Sequence, residues 1–293
     1  MFRKRRDGTY LGDVPAFRRI VPYLMPTRAE SLVYYRQRIE ADGLLAWLDG
    51  VNADRPAGQR ISLFHVLLTA ISRTVGLRPE VNRFVAGRRT YQHKEISVSF
   101  VVKMAMTDTA PETEVQLVFT GHETVDEVRR LVDAALQHKR ASGRGNDDKL
   151  VDFFASWPRP ALNLVGKVVR TLDYHNALPG ALMDAFPLYT SIYVANLGSV
   201  GADAPYHHLY EYGTASIFMA IGQVTDQAVV DDHGQVVARP CLDVAYTLDE
   251  RASDGFYFAR TAEVFRRLVT DPQLLGKPGV TVDDILAGWP RRR

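Results

Sequence analysis

The chain has 293 residues, of which 36 are Lys or Arg, 34 are Asp or Glu and 46% are hydrophobic. Its formal net charge of +2 argues against a broadly basic nucleic-acid-binding protein. Its one cysteine, Cys241, excludes an intrachain disulfide framework and any metal site built from several thiolates. No uninterrupted apolar stretch approaches the roughly 20 residues of a transmembrane helix, and the N-terminus lacks the apolar segment of a secretory signal. We therefore predict a cytoplasmic protein with no metal site and no nucleic-acid partner.

Basic residues are concentrated at the two ends of the chain, at positions 3–6 and 291–293. Removing these seven positive charges from the net +2 leaves −5 for the remainder of the chain. Such clusters either contact phosphate groups or are solvated chain ends. We expect solvated ends here.

The first half of the chain alternates predicted strands and helices. Three stretches rich in Val, Ile, Phe or Tyr are typical of strands: 31–38, 96–105 and 113–120. Three stretches with apolar residues at helical spacing predict helices: 41–53, 62–79 and 124–142. Ser62 and Thr124 are the expected N-caps of the last two. This alternation predicts a layered α/β or α+β domain.

The second half begins with an apolar segment, 150–172, interrupted by Pro158 and Pro160, which predicts two short helices. Strands are again predicted at 189–195, 215–223 and 242–248, followed by a final helix at 256–268. Asp231 to Gly234 separates two Val-rich segments and predicts the turn of a β-hairpin.

Residues 249–255, Asp-Glu-Arg-Ala-Ser-Asp-Gly, resemble the D-H-R-x-x-D-G signature of the catalytic domain of dihydrolipoamide acyltransferases, whose fold chloramphenicol acetyltransferase shares. Further segments are similar in order and spacing: 78–82 to the family's P-E-x-N segment, Asn196-Leu197-Gly198 to its S-N-L-G segment, and Arg18-Arg19-Ile20 to its basic opening helix. The similarity covers residues 15–275 apart from 143–185, and extends to stand-alone bacterial acyltransferase-subunit-like proteins. It implies a chloramphenicol-acetyltransferase-like α/β fold, a two-layer sandwich with a mixed sheet, assembled as a homotrimer.

Two catalytic groups of that family are replaced in this sequence. The resemblance aligns Glu250 with the family's histidine, the general base that takes the proton from the attacking thiol or hydroxyl. It aligns Ala195 with the Ser or Thr hydroxyl that stabilises the tetrahedral oxyanion. Asp254 and Gly255 of the signature are retained.

The resemblance also implies a structural ion pair between Asp254 and an arginine, with Arg18, Arg19 and Arg251 as candidates. Arg18, Arg251, Asn196 and Gly198 are therefore assigned structural roles near the site.

The replacements leave two interpretations open. In the first, the protein is a pseudo-enzyme whose fold serves as a trimeric scaffold. In the second, His207 or His208 acts as the base in a rewired acyltransferase and Glu250 orients the imidazole. The simpler alternatives are a polar histidine pair packed against Tyr206 and Tyr210, and a salt bridge from Glu250 to an arginine.

We predict one acyltransferase-like domain over residues 1–293 with a helical insertion at about 143–185. Four interpretations of the apolar segment 150–172 are open. It forms a lid over an acyl channel, a clasp that extends the trimer contact, an interfacial helix on a membrane surface, or a helical pair packed on its own domain.

The predicted function is that of an acyltransferase-family protein that binds acyl-CoA-type thioesters in an inter-subunit channel, with transfer altered or lost. No covalently bound cofactor is expected, and coenzyme A thioester is the expected co-substrate. The alternative is a non-catalytic trimeric scaffold, or a protein peripheral to the membrane that binds its surface through 150–172.

Overall fold

The computed structural model describes residues 4–103, 112–142, 156–277 and 279–287. Within them, a six-stranded sheet carries helices on one face, and a separate three-stranded sheet accompanies it. The strands are β1 (Gly8–Tyr10), β2 (Leu32–Glu40), β3 (Arg83–Ala86), β4 (Arg89–His93), β5 (Ile96–Lys103), β6 (Glu112–Phe119), β7 (Ile192–Asn196), β8 (Ile217–Val230) and β9 (Val236–Asp249). The helices are α1 (Ala16–Leu24), α2 (Asp42–Asn52), α3 (Leu63–Leu77), α4 (Val125–Ser142), α5 (Arg159–Tyr174), α6 (Gly180–Ala185), α7 (Gly255–Thr270) and α8 (Val282–Leu286).

The larger sheet is mixed, with strand order β2-β9-β8-β7-β5-β6. Strand β7 runs parallel to both β5 and β8, whereas the β2–β9, β8–β9 and β5–β6 pairs are antiparallel. Strands β8 and β9 form the predicted hairpin, and a bulge between Ile221 and Val224 interrupts their pairing. The predicted mixed-sheet α/β fold is therefore confirmed.

Helix α3 is the central helix of the main core. It begins at Ser62, as predicted: the Ser62 hydroxyl accepts a hydrogen bond from the His65 backbone, and His65 Nδ1 accepts one from the Ser62 backbone at 3.1 Å. Every residue from His65 to Val75 is buried. Representative core residues of the packed helices are Leu44 of α2, Leu68 of α3, Val128 of α4 and Leu268 of α7. These side chains cover one face of the sheet.

Within the described part of the chain, one stretch, Ala57–Leu77, is long and apolar enough by length and composition to cross a membrane. The sequence prediction missed it because polar residues interrupt its apolar ones. Of its most hydrophobic window, 67% is buried inside the protein. Such burial is typical of a core helix, in agreement with the position of α3.

The opposite face of the large sheet carries a second hydrophobic cluster. Tyr193, Phe218 and Ala220 point to this face, because side chains alternate along a strand. Ala204 and Leu209, from the segment that joins β7 to β8, pack onto them. The segment that joins β7 to β8 therefore packs on this face of the sheet.

The three-stranded sheet, with order β1-β4-β3, was not predicted from the sequence. Its aromatic rings Phe84 and Tyr91 stack at 5.5 Å between centroids, and the Arg5 guanidinium lies over both. Arg5 also pairs with Asp7 at 2.8 Å and with Asp173 at 3.0 Å, and its side chain is only 2% exposed. The expectation of a solvated N-terminal cluster is therefore wrong for Arg5, because two carboxylates compensate its burial. Residues 3 and 291–293 lie outside the described residues.

The predicted insertion contains helices α5 and α6, and its residues 143–155 lie outside the described part of the chain. The first of the two predicted helices of 150–172 would fall on residues outside the described part of the chain, and α5 is the second. Pro158 is the N-cap of α5 and Pro160 lies in its first turn, where a missing N–H costs nothing. Helix α5 contacts its own chain, since Tyr212 donates a hydrogen bond to the Gly166 carbonyl at 3.3 Å. Its outer face still exposes 64% of Leu164.

We predict that His93 makes stability pH-dependent. Burial lowers the pKa of His93 from 6.5 to about 4, so the unfolded chain binds a proton at a higher pH than the folded chain does. Stability should fall as pH decreases from about 6.5 to about 4, by about 3 kcal/mol from this group. Urea unfolding of the wild type and of His93→Gln across this range measures the effect. Equal pH slopes for the two proteins would contradict the prediction.

Candidate functional site

The residues of the acyltransferase-like signature form the turn between β9 and α7. Asp249 is the last residue of β9, and Asp254 is the N-cap of α7. The Asp254 carboxylate accepts a hydrogen bond from the Tyr257 backbone N–H at 2.7 Å, which satisfies one of the free donors of the first helical turn. Gly255 follows as the first helical residue. The turn therefore has a defined conformation at both ends.

A buried ionic network fixes the middle of this turn. The Arg251 side chain donates to both carboxylate oxygens of Asp249, at 2.8 and 2.7 Å. The Ser31 hydroxyl donates to Asp249 at 3.0 Å, and the Arg28 guanidinium lies 3.9 Å from the same carboxylate. Burial lowers the pKa of Arg28, whereas the negative charge of Asp249 raises that pKa. Since isolated buried charges are costly, these four residues stabilise one another.

Glu250 lies between the two partners Asp249 and Arg251, but its side chain is exposed. Its backbone N–H donates to the Ser31 carbonyl at 3.0 Å, and its carbonyl accepts from Arg18 at 2.8 Å. Across the described residues, no hydrogen bond or ion pair to its carboxylate is found, so the expected salt bridge to an arginine is not formed. The backbone of Glu250 is thus held in place while its carboxylate remains available to a ligand.

Arg18 joins helix α1 to the signature turn. In addition to its bond to Glu250, its guanidinium lies 3.6 Å from the Asp254 carboxylate. Among the three candidate arginines, Arg18 is therefore the one that the structure places beside Asp254. Arg251 is occupied with Asp249 instead.

A cavity of about 180 Å³ opens beside Glu250, between β2, the ends of β8 and β9, and the start of α7. Its walls are mainly apolar and include Val33, Ile217, Leu248 and Phe258. Ser253 also lines it, and the Ser253 Oγ is buried without a hydrogen-bond partner. The arrangement combines an apolar recess, a carboxylate at its rim and one unsatisfied hydroxyl, as small-molecule sites commonly do.

The predicted histidines lie away from this cavity. The His207 ring stacks on Phe218, with 3.9 Å between centroids, and the His208 ring stacks on His207 at 4.7 Å. The nearest described partners of their Nδ1 atoms are backbone carbonyls: that of His208 at 2.7 Å for His207, and that of Leu209 at 3.2 Å for His208. Phe218 and Ile217 point to opposite faces of the sheet, and neither histidine is among the residues that line the cavity.

The segment around Asn196 lies at the end of β7, and its residues do not line the cavity. Ala195 packs against the cluster of the opposite face and pairs with Ala220 of β8. A Cβ atom on Gly198 would lie 2.4 Å from the Gly222 carbonyl oxygen, so this position requires glycine for close contact with β8. One chain therefore brings together Glu250, Asp254 and Arg18, and places Ala195 with the histidines elsewhere.

Comparison with known proteins identifies the fold. Residues 189–276 match the sequence profile of the 2-oxoacid dehydrogenases acyltransferase (catalytic domain). The probable dihydrolipoamide acetyltransferase of Listeria monocytogenes aligns with a TM-score of 0.58 at 13% identity, over 92% of this chain and 96% of that chain. The cubic core of the pyruvate dehydrogenase multienzyme complex gives 0.60 at 15% identity, over 92% and 95%.

Chloramphenicol acetyltransferase aligns with a TM-score of 0.53 at 11% identity, over 90% of this chain and 98% of that chain. The chain has the acyltransferase catalytic-domain fold. The resemblance predicted from the sequence is thereby confirmed, and the matched segment includes the Glu250 turn. A search of curated protein sequences found no match. These findings do not favour the scaffold or membrane-surface alternative.

Several residues of this acyltransferase-fold site were missed in the sequence. Arg28 and Ser31 hold the Asp249 carboxylate, yet neither stands near the signature in the chain. Val33 and Phe258 line the cavity but look like ordinary strand and helix residues. For Val33 and Phe258, the sequence predicted only the elements that contain them, the strand at 31–38 and the final helix. In the described chain, no group of three or more His, Cys, Asp or Glu side chains could hold a metal ion.

Removing the Asp249 charge should unfold this site. We expect Asp249→Asn to lower the free energy of unfolding by about 3–5 kcal/mol, because Arg251 and Arg28 would lose their buried counter-charge. Asp254→Asn is the matched control: asparagine is an equally good N-cap and the residue is exposed, so the loss should stay below about 1 kcal/mol. Urea unfolding measures both. Equal losses in the two variants would contradict a central role for the buried network.

Proposed function

We propose that this acyltransferase-fold protein binds an acyl thioester of the coenzyme A type beside Glu250, and that replacement of the family histidine makes its acyl transfer slow or absent. The observation that carries the proposal is the apolar cavity with the Glu250 carboxylate at its rim. A fold used for acyl transfer, with an apolar recess at the signature turn, supports thioester binding at this place.

The walls of the cavity suit an acyl chain. Val33 and Phe258 face it from β2 and α7, while Ile217 and Leu248 form its base. Transfer of methylene groups from water to such a surface is favourable by about 0.8 kcal/mol for each group buried. The buried Ser253 hydroxyl lacks a partner, and a ligand carbonyl would supply the acceptor that it lacks. We therefore assign the acyl chain to the cavity and the thioester carbonyl to its rim.

The chemistry of the replaced groups accounts for slow transfer. Carboxyl groups in water have a pKa of about 4.3 and thiols about 8.5, so proton transfer from a thiol to a carboxylate is uphill by about 6 kcal/mol. Imidazole is a better match near neutral pH. Loss of one oxyanion donor, as at Ala195, typically costs about 10²–10³ in rate. Thioester binding in the cavity does not depend on the base at position 250 or on the oxyanion donor at position 195.

We further propose a cytoplasmic homotrimer in which the cavity opens into a channel between subunits. Within one chain Ala195 and the two histidines lie on the sheet face opposite to the cavity. A neighbouring subunit would have to supply that face for His207 or His208 to meet Glu250. The rewired mechanism therefore depends on assembly, whereas thioester binding in the cavity does not.

Filling the cavity should abolish thioester binding. Val33 is 38% exposed on the edge strand β2, so Val33→Trp can place an indole in the cavity without disturbing the core. We expect at least about a tenfold increase in the Kd for octanoyl-CoA, measured by calorimetry. Val118→Trp is the matched control, since Val118 is 51% exposed on the strand at the other edge of the sheet. Absence of octanoyl-CoA binding to the wild type would overturn the proposal.

Restoring the family residues should restore transfer. We expect Glu250→His to accelerate transfer of the octanoyl group to a dithiol acceptor at pH 7 by about 10² or more, and addition of Ala195→Ser to increase it further. Chromatographic separation of octanoyl-CoA from the octanoyl-dithiol product measures the rate, and Glu250→Gln serves as the control without a base. If the wild type already equals Glu250→His, the slow-transfer part of the proposal is wrong, while the binding part stands.

A further inference from the structure

Helix α1 carries an exposed apolar face. Phe17, Ile20, Tyr23 and Leu24 lie on the same side of this helix, because residues three and four apart share a helix face. Each of the four is more than half exposed, from 53% for Ile20 to 69% for Phe17. Single exposed apolar residues are common on soluble proteins, whereas a contiguous patch of large ones marks a contact surface.

The opposite face of α1 fixes the orientation of the helix. Val21 and Pro22 are buried, and Arg18 binds the Glu250 carbonyl at 2.8 Å and lies 3.6 Å from the Asp254 carboxylate. A rotation of α1 that buried the apolar face would expose Val21 and break the contacts of Arg18. The packing of the chain therefore holds the apolar face toward solvent.

The border of this face is positively charged. Arg19 is exposed on α1 itself, and the Arg88 guanidinium, from the turn between β3 and β4, lies 4.9 Å from the centroid of the Tyr23 ring. Neither arginine forms an ion pair within the part of the chain that the structure describes. Residues 14–29, which include all of α1, contain no Asp or Glu. The patch thus combines large apolar side chains with two positive charges that no carboxylate compensates.

The backbone holds Arg88 in an unfavourable conformation. Gly87 and Arg88 form a two-residue hairpin turn, with φ values of 55° and 62°. Glycine or asparagine is the usual residue at both positions of such a turn, because a positive φ is strained for other side chains. An arginine at position 88 accepts this strain and places a cation beside Tyr23. The charged border is therefore a second, independent sign that this surface makes a contact.

We infer that the apolar face of α1, with Arg19 and Arg88 at its border, docks on a membrane that contains anionic lipid. Aliphatic and aromatic side chains on one face of a helix enter the boundary between headgroups and acyl chains, and arginines beside them contact lipid phosphates. With nine residues α1 is about 14 Å long, so it lies on a bilayer whose hydrocarbon core is about 30 Å thick and does not cross it.

The charges favour lipid over a second copy of the same patch. A two-fold contact between two such patches would bring two Arg19 and two Arg88 side chains together with no carboxylate between them, which is unfavourable. An anionic bilayer supplies the missing negative charge. The surface is distinct from the segment 150–172, and the inference does not depend on thioester binding. Because Arg18 joins the other side of α1 to Glu250, docking would hold the signature turn near the membrane surface.

Sedimentation of the full chain with sucrose-loaded vesicles tests the inference. The variant is Ile20→Gln combined with Leu24→Gln, and the vesicles contain phosphatidylcholine and phosphatidylglycerol. We expect the wild type to bind and the variant to bind about tenfold or more weakly, because two aliphatic side chains no longer enter the bilayer. Absence of wild-type binding, or equal binding of the variant, would overturn the inference.

The matched control is Leu164→Gln combined with Val168→Gln, which removes two exposed aliphatic side chains of α5 instead. We expect this control to bind vesicles like the wild type. Loss of binding in the control alone would transfer the membrane contact to α5 and show that the assignment to α1 is wrong.

The charged border is tested with Arg19→Gln combined with Arg88→Gln. We expect binding to the anionic vesicles to fall by about tenfold or more, and binding to vesicles of phosphatidylcholine alone to stay unchanged. High salt should weaken binding of the wild type in the same direction. Equal binding of the wild type to anionic and neutral vesicles would overturn the assignment to anionic lipid.

Sedimentation velocity without lipid tests whether another copy of the chain covers this face. We expect Ile20→Gln combined with Leu24→Gln to leave the mass of the assembly unchanged. A smaller mass would identify α1 as a contact between subunits and refute the lipid assignment. Exposed substitutions usually change stability little, so the melting temperature should stay near that of the wild type. If the double variant melts early, Ile20→Gln alone repeats both measurements.

Discussion

The buried Asp249 carboxylate is the contact on which the rest of the site depends. It joins the end of β9 to Arg251 in the following turn and to Ser31 and Arg28 before β2. Arg28 in turn donates to the backbone carbonyls of Tyr212 and Gly213, which follow His207 and His208 in the segment that joins β7 to β8. One carboxylate thus ties together the turn, the edge strand and the loop on the far face of the sheet. Because a buried charge without partners is so unfavourable, this network admits one arrangement of the three segments.

This arrangement determines which groups can cooperate. The cavity faces α7 and receives Glu250, whereas the His207 ring stacks on Phe218 across the sheet. Among the described residues, the contacts of the two imidazoles are with Phe218, Tyr210, each other and backbone carbonyls, and none of these contacts is with Glu250. The residues that line the cavity all belong to one chain, whereas under the proposed function an imidazole beside Glu250 would come from a neighbouring subunit. Under the proposed function, thioester binding and acyl transfer therefore depend on different groups.

The parts of the structure that local patterns specify were predictable, and those that depend on distant contacts were not. The Ser62 cap, the β8–β9 hairpin and the helix after Asp254 follow from residues close in the chain. The three-stranded sheet requires Arg5 to meet Asp173 across most of the chain, which no local pattern reveals. The prediction of two short helices over 150–172 stays open for the first of them, because residues 150–155 lie outside the described part of the chain, while the second corresponds to α5.

Glu250, which the resemblance aligns with the family histidine, is held in the turn by its backbone and not by its side chain. The backbone groups of Glu250 make the bonds to Ser31 and Arg18, and these bonds are the same for any side chain. The packing and the charge compensation come from its neighbours Asp249 and Arg251, both of which remain buried. Since the exposed side chain contributes little to the fold, this position can exchange histidine for glutamate at small cost in stability. The structure of the turn therefore rests on Asp249 and Arg251, and under the proposed function the identity of residue 250 determines whether acyl transfer follows binding.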